Sequence, residues 1–271
     1  MLAADGHRQC ATMGCAIGRP FLVGNEDRLA SPRARGDWAL NCAAIFDAVS
    51  EPAQRERLSE YYQQVALMEH ASVAAFARLT MQLMSLGAPA ELVELAVAAQ
   101  RDETAHARLA FGLASELAGV KMGPGALSIE GAFADSSPAH MAFTAVVEGC
   151  VGETIAALEA AELSTRVTQP ELRALLEQIA RDESEHARLA YQVVAWLLEV
   201  GGAEVKQAVE QGFQAALDRS TVPRRIKPED ANFGALDNEL AAEVRHHAVR
   251  QIVVPAAAAL GVRCSPLAQA A

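Results

Sequence analysis

Two ten-residue segments, RDETAHARLA (101–110) and RDESEHARLA (181–190), decide how this chain folds. They share eight of their ten residues and begin 80 positions apart. Each segment places a Glu and a His three residues apart, and residues at that spacing lie on the same face of an α-helix. An internal repeat of this kind indicates two copies of one structural unit.

A weaker repeat precedes each of these segments. LMEHASVAAF contains Glu69 and VVEGCVGETI contains Glu148, and in both stretches one Glu interrupts an apolar helical face. The two Glu residues lie 79 positions apart, which is nearly the same offset. Two helix pairs therefore repeat, and one pair cannot bury both of its sides. The sequence predicts that the pairs pack together as an antiparallel four-helix bundle.

The composition also favours helices. Hydrophobic residues make up 51% of the 271 residues and charged residues 21%, which is ordinary for a globular protein and excludes disorder of the whole chain. Aromatic residues are only 5%, and Val, Ile and Thr form no long alternating runs of the kind that a sheet needs. We predict an all-α fold with a sizeable core.

Charge and hydropathy exclude several classes of protein. With 34 acidic and 23 basic residues the net charge is -11, so the chain is a poor candidate for nucleic-acid binding. We expect no membrane span, because no apolar stretch is expected to reach the necessary ~18–20 residues. The start, MLAADGHRQC, lacks the apolar segment of a signal peptide. Together these features predict a cytoplasmic protein.

The chain divides into three predicted regions. Residues 1–52 form an irregular N-terminal arm with a short helix, and residues 53–200 form the bundle, with repeats at about 60–119 and 138–200. Residues 201–271 add further helices that pack on the bundle. Helices are expected where a turn residue or proline begins a periodic stretch, at about Pro52 to Leu86, Pro89 to Gly119, Pro138 to Arg166, Pro170 to Val200, 203 to Arg219 and Leu236 to Pro255.

Four carboxylates and two imidazoles interrupt the apolar faces of these helices. Burial of even one unpaired carboxylate costs several kcal/mol, and mutual repulsion adds to that cost. The same faces offer no Lys or Arg, whereas two divalent cations would supply four positive charges. Mixed carboxylate and imidazole ligands suit iron or manganese. The predicted metal ligands are Glu69, Glu103, His106, Glu148, Glu183 and His186.

This ligand pattern resembles that of the ferritin-like di-iron carboxylate superfamily, which includes rubrerythrins and di-iron oxygenases. In that superfamily two helices each supply one Glu and two others each supply Glu-x-x-His. The resemblance covers about residues 55–200 and implies two Fe ions, although Mn or a mixed Mn/Fe pair fits the same ligands. The resemblance also implies that Glu103 and Glu183 bridge the two metals. One metal would then be completed by Glu69 with His106, and the other by Glu148 with His186.

The Asp before each motif Glu also resembles a residue of that superfamily. Asp102 is expected to accept a hydrogen bond from His186, and Asp182 from His106. Such a bond fixes the tautomer of the imidazole, so that its other nitrogen faces the metal.

Glu153 is a further candidate ligand. It lies five residues after Glu148, which is about 140° around a regular helix, so it would point away from the Glu148 face. A π-bulge between the two residues would turn Glu153 inward. The sequence does not decide between these arrangements.

Other residues with metal-binding or redox chemistry have no assigned role. The adjacent His246 and His247 would serve as an extra ligand or proton carrier, or simply be solvated. Cys10 and Cys15 lie in the arm without a CxxC pair, so they predict neither a disulfide framework nor a zinc ribbon.

The resemblance implies an oxidoreductase that activates dioxygen or peroxide for the oxidation of a small or carrier-bound organic substrate. Because no reductase domain is recognisable, electrons would come from an external donor or from the substrate. Two alternatives stay open: a ferroxidase or peroxide-scavenging protein similar to rubrerythrins, and a non-enzymatic bundle that metal stabilises. The segments outside the bundle would form a substrate pocket or lid, or the interface of a homodimer.

Overall fold

The computed structural model describes residues 19–24, 26–42, 45–219 and 224–264. It is 70% helix and 4% strand, so the fold is all-α, as predicted. Four long helical segments dominate: α1 (Pro52–Ser85), α2 (Ala90–Ala118), a third segment (Pro138–Arg166) and α5 (Pro170–Val200). The third segment is continuous but not uniform, and consists of α3 (Pro138–Thr144), a first π-helix (Ala145–Glu153) and α4 (Thr154–Arg166).

Local sequence explains where these segments begin and end. Pro52, Pro138 and Pro170 each occupy the first turn of a helix, where the missing N–H costs nothing. The Ser137 hydroxyl caps α3 by accepting a hydrogen bond from the backbone N–H of His140. At the end of α2, Gly119 adopts a left-handed conformation with φ of 71°. The observed bounds lie close to those that the sequence predicts.

The long segments pack in two pairs. α1 lies along α2, and the first π-helix and α4 lie along α5. Short connections at 86–89 and 167–169 make the members of each pair antiparallel. Contacts between α2 and α5 join the two pairs, and large buried side chains such as Phe76 and Met141 fill the interior.

Shorter helices follow α5. α6 (Ala203–Asp218) packs on α3 and the first π-helix, and a 3-10 helix (Pro228–Phe233) precedes α7 (Asn238–Ala248), which contacts α4. The predicted last helix continues beyond Pro255 through a second π-helix (Val249–Val253) and α8 (Val254–Ala259). Proline is tolerated there because it occupies the first turn of α8.

The described part of the N-terminal arm contains short strands. β1 (Leu22–Val23) pairs with β2 (Glu26–Asp27), and β3 (Pro32–Ala34) pairs with β4 (Met122–Pro124), all antiparallel. β4 falls in a stretch that the sequence predicts to be a loop. The described residues of the arm form these strands and turns, and the predicted short helix is not among them.

One helical stretch among the described residues, Pro138–Arg166, is long and apolar enough to cross a membrane. The expectation that no stretch reaches this length and apolarity is therefore wrong. Of its most apolar window, 83% is buried inside the protein. A core helix passes the same test, so this stretch does not indicate a membrane span.

Candidate metal centre

Six acidic and imidazole side chains meet in the interior between the four long segments, and each is at most 5% exposed. They form two groups, and in each group one ligand atom per residue lies within 4.8 Å of all the others. Glu103 and Glu183 belong to both groups. The first group is completed by Glu69 and His106, and the second by Glu153 and His186.

Each of the four segments contributes to this cluster. Glu69 lies in the middle of α1, and α2 supplies Glu103 with His106. Glu183 and His186 repeat that spacing on α5, and Glu153 is the last residue of the first π-helix. The two Glu-x-x-His motifs therefore face each other across the contact between α2 and α5, as their shared helical face predicts.

Both imidazoles point Nδ1 into the cluster. His106 Nδ1 lies 3.3 Å from Oε1 of Glu183, and His186 Nδ1 lies 3.1 Å from Oε1 of Glu103. Each His thus reaches the carboxylate of the opposite motif. An imidazole presented in this way can bind a metal through Nδ1 while Nε2 is held by a neighbouring group.

The two Asp residues beside the motifs differ in their distance from the imidazoles. Asp182 Oδ2 lies 3.2 Å from Nε2 of His106, which is hydrogen-bond distance. Asp102 Oδ2 lies 3.7 Å from Nε2 of His186, which is too long for a hydrogen bond. The nearby imidazole still lowers the pKa of the Asp102 carboxyl. His106 is therefore oriented more tightly than His186.

Many polar atoms of the cluster have no hydrogen-bond partner within the described part of the chain. Native proteins rarely leave buried polar atoms in this state, because each costs about 1–3 kcal/mol. Metal ions would use these same atoms as ligands, so the residues present fit a metal centre. The unpartnered atoms include both carboxylate oxygens of Glu103, Glu153 and Glu183, Oε2 of Glu69, and Nδ1 of His106 and His186.

Burial and the closeness of the charged groups also shift the pKa values of the cluster residues. Burial raises the pKa of Glu69 to about 7, and burial with the nearby Glu183 raises the pKa values of Glu103 and Glu153 well above the usual range. Burial alone would lower the pKa of His186, but contacts with nearby carboxylates raise it to about 10. The surroundings thus favour positive charge within the cluster, supplied by protons or by cations.

Glu148 lies outside this cluster, which corrects its prediction as a ligand. Its carboxylate is fully buried, and Oε2 accepts a hydrogen bond from Nε of Arg19 at 3.2 Å. Oε1 accepts hydrogen bonds from Nη2 of Arg78 and from the backbone N–H of Leu22. The chain itself neutralises Glu148, and Glu153 takes the predicted place beside His186.

The π-helix explains the change from Glu148 to Glu153. Its wider turn alters the face on which each following residue lies, so a residue five positions after Glu148 points into the cluster. Gly149, inside the π-helix, permits close packing because a Cβ there would overlap with the Cβ of Ala190 on α5. The alternative in which a π-bulge turns Glu153 inward is the arrangement observed.

Sequence reasoning also missed the two arginines. The faces of the ligand residues carry no Lys or Arg, but Arg78 from another face of α1 and Arg19 from the arm are both buried beside Glu148. Arg78 lies nine residues after Glu69, about half a turn around a regular helix, so it is not on the Glu69 face. No local pattern connects Arg19 to the bundle.

The other candidates lie apart from the cluster. His246 and His247 are exposed and line a surface groove between α4 and α7 together with Glu162. Neither belongs to the two groups of candidate ligands. Cys10 and Cys15 lie outside the described residues.

Comparisons of the chain with protein-family models, with curated proteins and with solved structures found no match. The functional argument therefore depends on the geometry and chemistry of the cluster.

Proposed function

We propose that the chain is a ferritin-like four-helix bundle that holds two metal ions, most simply two Fe, and acts as an oxidoreductase. The proposed reaction activates dioxygen or peroxide for the oxidation of a small or carrier-bound organic substrate. The observation that carries the proposal is the set of six buried ligand residues in two groups that share two carboxylates.

Charge supports two divalent ions rather than one. Glu69, Glu103, Glu153 and Glu183 carry four negative charges when ionised, and two divalent cations balance them. The buried Arg19 and Arg78 do not balance these four charges, because both pair with Glu148 instead. The combination of carboxylate and imidazole ligands suits iron or manganese.

The shared residues have a clear role in this arrangement. Glu103 and Glu183 belong to both groups, so each would bridge the two metals. Glu69 and His106 would complete one metal position, and Glu153 and His186 the other. This keeps the bridging assignment that the resemblance implies and replaces Glu148 by Glu153.

The chain's own groups orient and shield the centre. Asp182 holds the ring of His106 at hydrogen-bond distance, and apolar side chains pack around the cluster. Bound metals would supply the transfer of electrons to dioxygen or peroxide, which amino-acid side chains do not provide.

Metal analysis tests the ligand set. We expect two Fe per chain after anaerobic loading with ferrous iron, and loss of at least one after Glu103→Ala or Glu183→Ala. Glu94→Ala and Glu177→Ala are matched controls, because these exposed Glu residues lie on the same two helices and should leave two Fe. Two Fe in both cluster variants would overturn the bridging assignment.

Oxygen uptake by the reduced, loaded protein tests the activity. Uptake that a particular organic compound stimulates supports an oxygenase or oxidase. Rapid oxidation of many ferrous ions per site would support a ferroxidase instead. Inertness in both assays would leave a metal that only stabilises the fold, and would overturn the proposed enzymatic function.

A further inference from the structure

A narrow cavity lies between the four long segments, next to the candidate metal centre. Its volume is about 50 Å³, measured as the space open to the centre of a water molecule. Glu69, His106 and Glu183 line one part of it. The rest of the wall is mostly aliphatic, with contributions from every long segment, including Val65, Leu109, Ala110, Leu113, Ala160 and Leu176.

The cavity adjoins one of the two metal positions. Its wall includes Glu69 and His106, which complete the first group of ligands, but neither Glu153 nor His186. The second group is closely packed instead. The ring of Phe76 meets the ring of His186 edge-on, with centroids 5.2 Å apart, and the guanidinium of Arg19 lies over the same Phe76 ring.

Two polar side chains of the wall beyond the ligands, Tyr62 and Glu159, already have partners. The Tyr62 hydroxyl donates to the carbonyl of Phe233 at 2.7 Å. Glu159 pairs with Arg224 at 3.4 Å. A charged or strongly polar ligand would lose its hydration without gaining these partners, whereas an uncharged apolar molecule would lose little.

The C-terminal region closes the end of the cavity away from the metal centre. Gly234 lines that end beside Tyr62, which precedes Glu69 on α1 by two helical turns, and a Cβ at Gly234 would lie 2.5 Å from the Tyr62 hydroxyl. The preceding 3-10 helix is fixed by Asp230, which pairs with Arg57 at 3.3 Å. The segment after the long helices therefore limits how far the cavity extends.

The volume limits the size of a ligand. A water molecule occupies about 10–15 Å³ of a cavity, and an apolar cavity of about 150 Å³ can hold benzene. A cavity of about 50 Å³ has room for several non-hydrogen atoms but not for an aromatic ring.

We propose that this cavity binds a small, uncharged, apolar reactant beside the metal position of Glu69 and His106. The reactant is dioxygen or a hydrocarbon of a few carbon atoms, and the two share the chemistry that the wall selects. The inference rests on the proposed function and deepens it, since it restricts the reactant and assigns it to one metal position.

Xenon is a suitable probe, because it is apolar, small and visible in crystals under pressure. We expect one xenon site in the cavity of the metal-free protein. Ala110→Val should remove it by filling the space, whereas Ala99→Val, a buried alanine on the same helix away from the cavity, should keep it. Absence of xenon from the wild-type cavity, or its retention in Ala110→Val, would overturn the proposal.

A second variant guards against misfolding of Ala110→Val. Leu113→Ala enlarges the same cavity and should admit benzene, detected in crystals, which the wild-type protein should exclude. Benzene in the wild-type cavity would contradict the size limit. The xenon and benzene experiments need no bound metal. They can fail in a protein that binds two Fe, and they can succeed in a protein that binds none, so the two proposals are tested separately.

The loaded protein distinguishes the two reactants. If dioxygen occupies the cavity, Ala110→Val should slow oxidation of bound ferrous iron at least several-fold with two Fe still bound. If a short hydrocarbon occupies it, that rate should be unchanged and hydrocarbon-stimulated oxygen uptake should disappear. No change in either rate would overturn a role for the cavity in binding a reactant.

Discussion

The two helix pairs of this protein deliver their carboxylates to the cluster in different ways. The first pair uses Glu69, on the uninterrupted helix α1. The second pair uses Glu153, at the end of the π-helix, 84 positions later, although the motif residues Glu103 and Glu183 are only 80 apart. The repeat of the sequence therefore does not fully repeat in the structure.

The difference shows what a π-helix can do inside a repeat. Glu148 occurs almost at the repeat offset, yet it pairs with Arg19 and Arg78 and fixes the N-terminal arm to the helices. Glu153 enters the cluster in its place. Both carboxylates are buried, so burial alone does not identify a ligand. The groups that surround each carboxylate distinguish the ion-paired Glu148 from the candidate ligand Glu153.

The largest expected effect comes from removal of Glu148. Glu148→Ala leaves two buried guanidinium groups without their carboxylate, and breaking a buried ion pair costs about 3–5 kcal/mol. We expect this loss in the free energy of unfolding, measured by chemical denaturation of the metal-free protein.

Glu185→Ala is the control, because that Glu is exposed and pairs with the exposed Arg188. It should cost less than about 1 kcal/mol. Equal stability losses in the two variants would show that Glu148 does not anchor the arm.

The close packing at Gly149 provides a smaller test. Where α1 has His70, the second pair has this glycine against Ala190. Gly149→Ala should lower the free energy of unfolding by about 1–3 kcal/mol, because α5 or the arm must move to admit the methyl group. Gly202→Ala is the matched control, since a Cβ there meets nothing within 4 Å. If Gly149→Ala is no less stable than this control, Gly149 does not pack against Ala190 as closely as described here.

The smallest expected effect is the difference between the two Asp residues. Asp182→Asn removes the closer partner of His106 and should weaken metal binding by about 10- to 100-fold. Asp102→Asn should weaken it by less than about tenfold, because Asp102 stands 3.7 Å from His186. Metal titration of the two variants measures this ratio, and a larger loss in Asp102→Asn would reverse the assignment.

Much of this arrangement could be predicted from local sequence. The Glu-x-x-His spacing fixes which face Glu103, His106, Glu183 and His186 share, because a regular helix has a constant turn. Proline and glycine mark the helix ends for similar local reasons. These features depend on residues within a few positions of one another.

The remaining features depend on distant packing. The stretch around Glu148 is apolar in either helical form, so its composition does not distinguish an α-helix from a π-helix. The groups that pair with Glu148 are also absent from the local pattern: Arg19 lies 129 positions before Glu148, and Arg78 lies on another helix. Strand β3 depends on distant residues in the same way, because it pairs with a strand about 90 residues later.

Anomalous diffraction from crystals of the iron-loaded protein tests the central claim most directly. We expect two peaks between Glu103 and Glu183, with a Glu153 oxygen within about 2.0–2.6 Å of the peak beside His186. Glu148 should remain paired with Arg19 and Arg78. A single peak, no peak, or a peak bound by Glu148 instead of Glu153 would contradict the account.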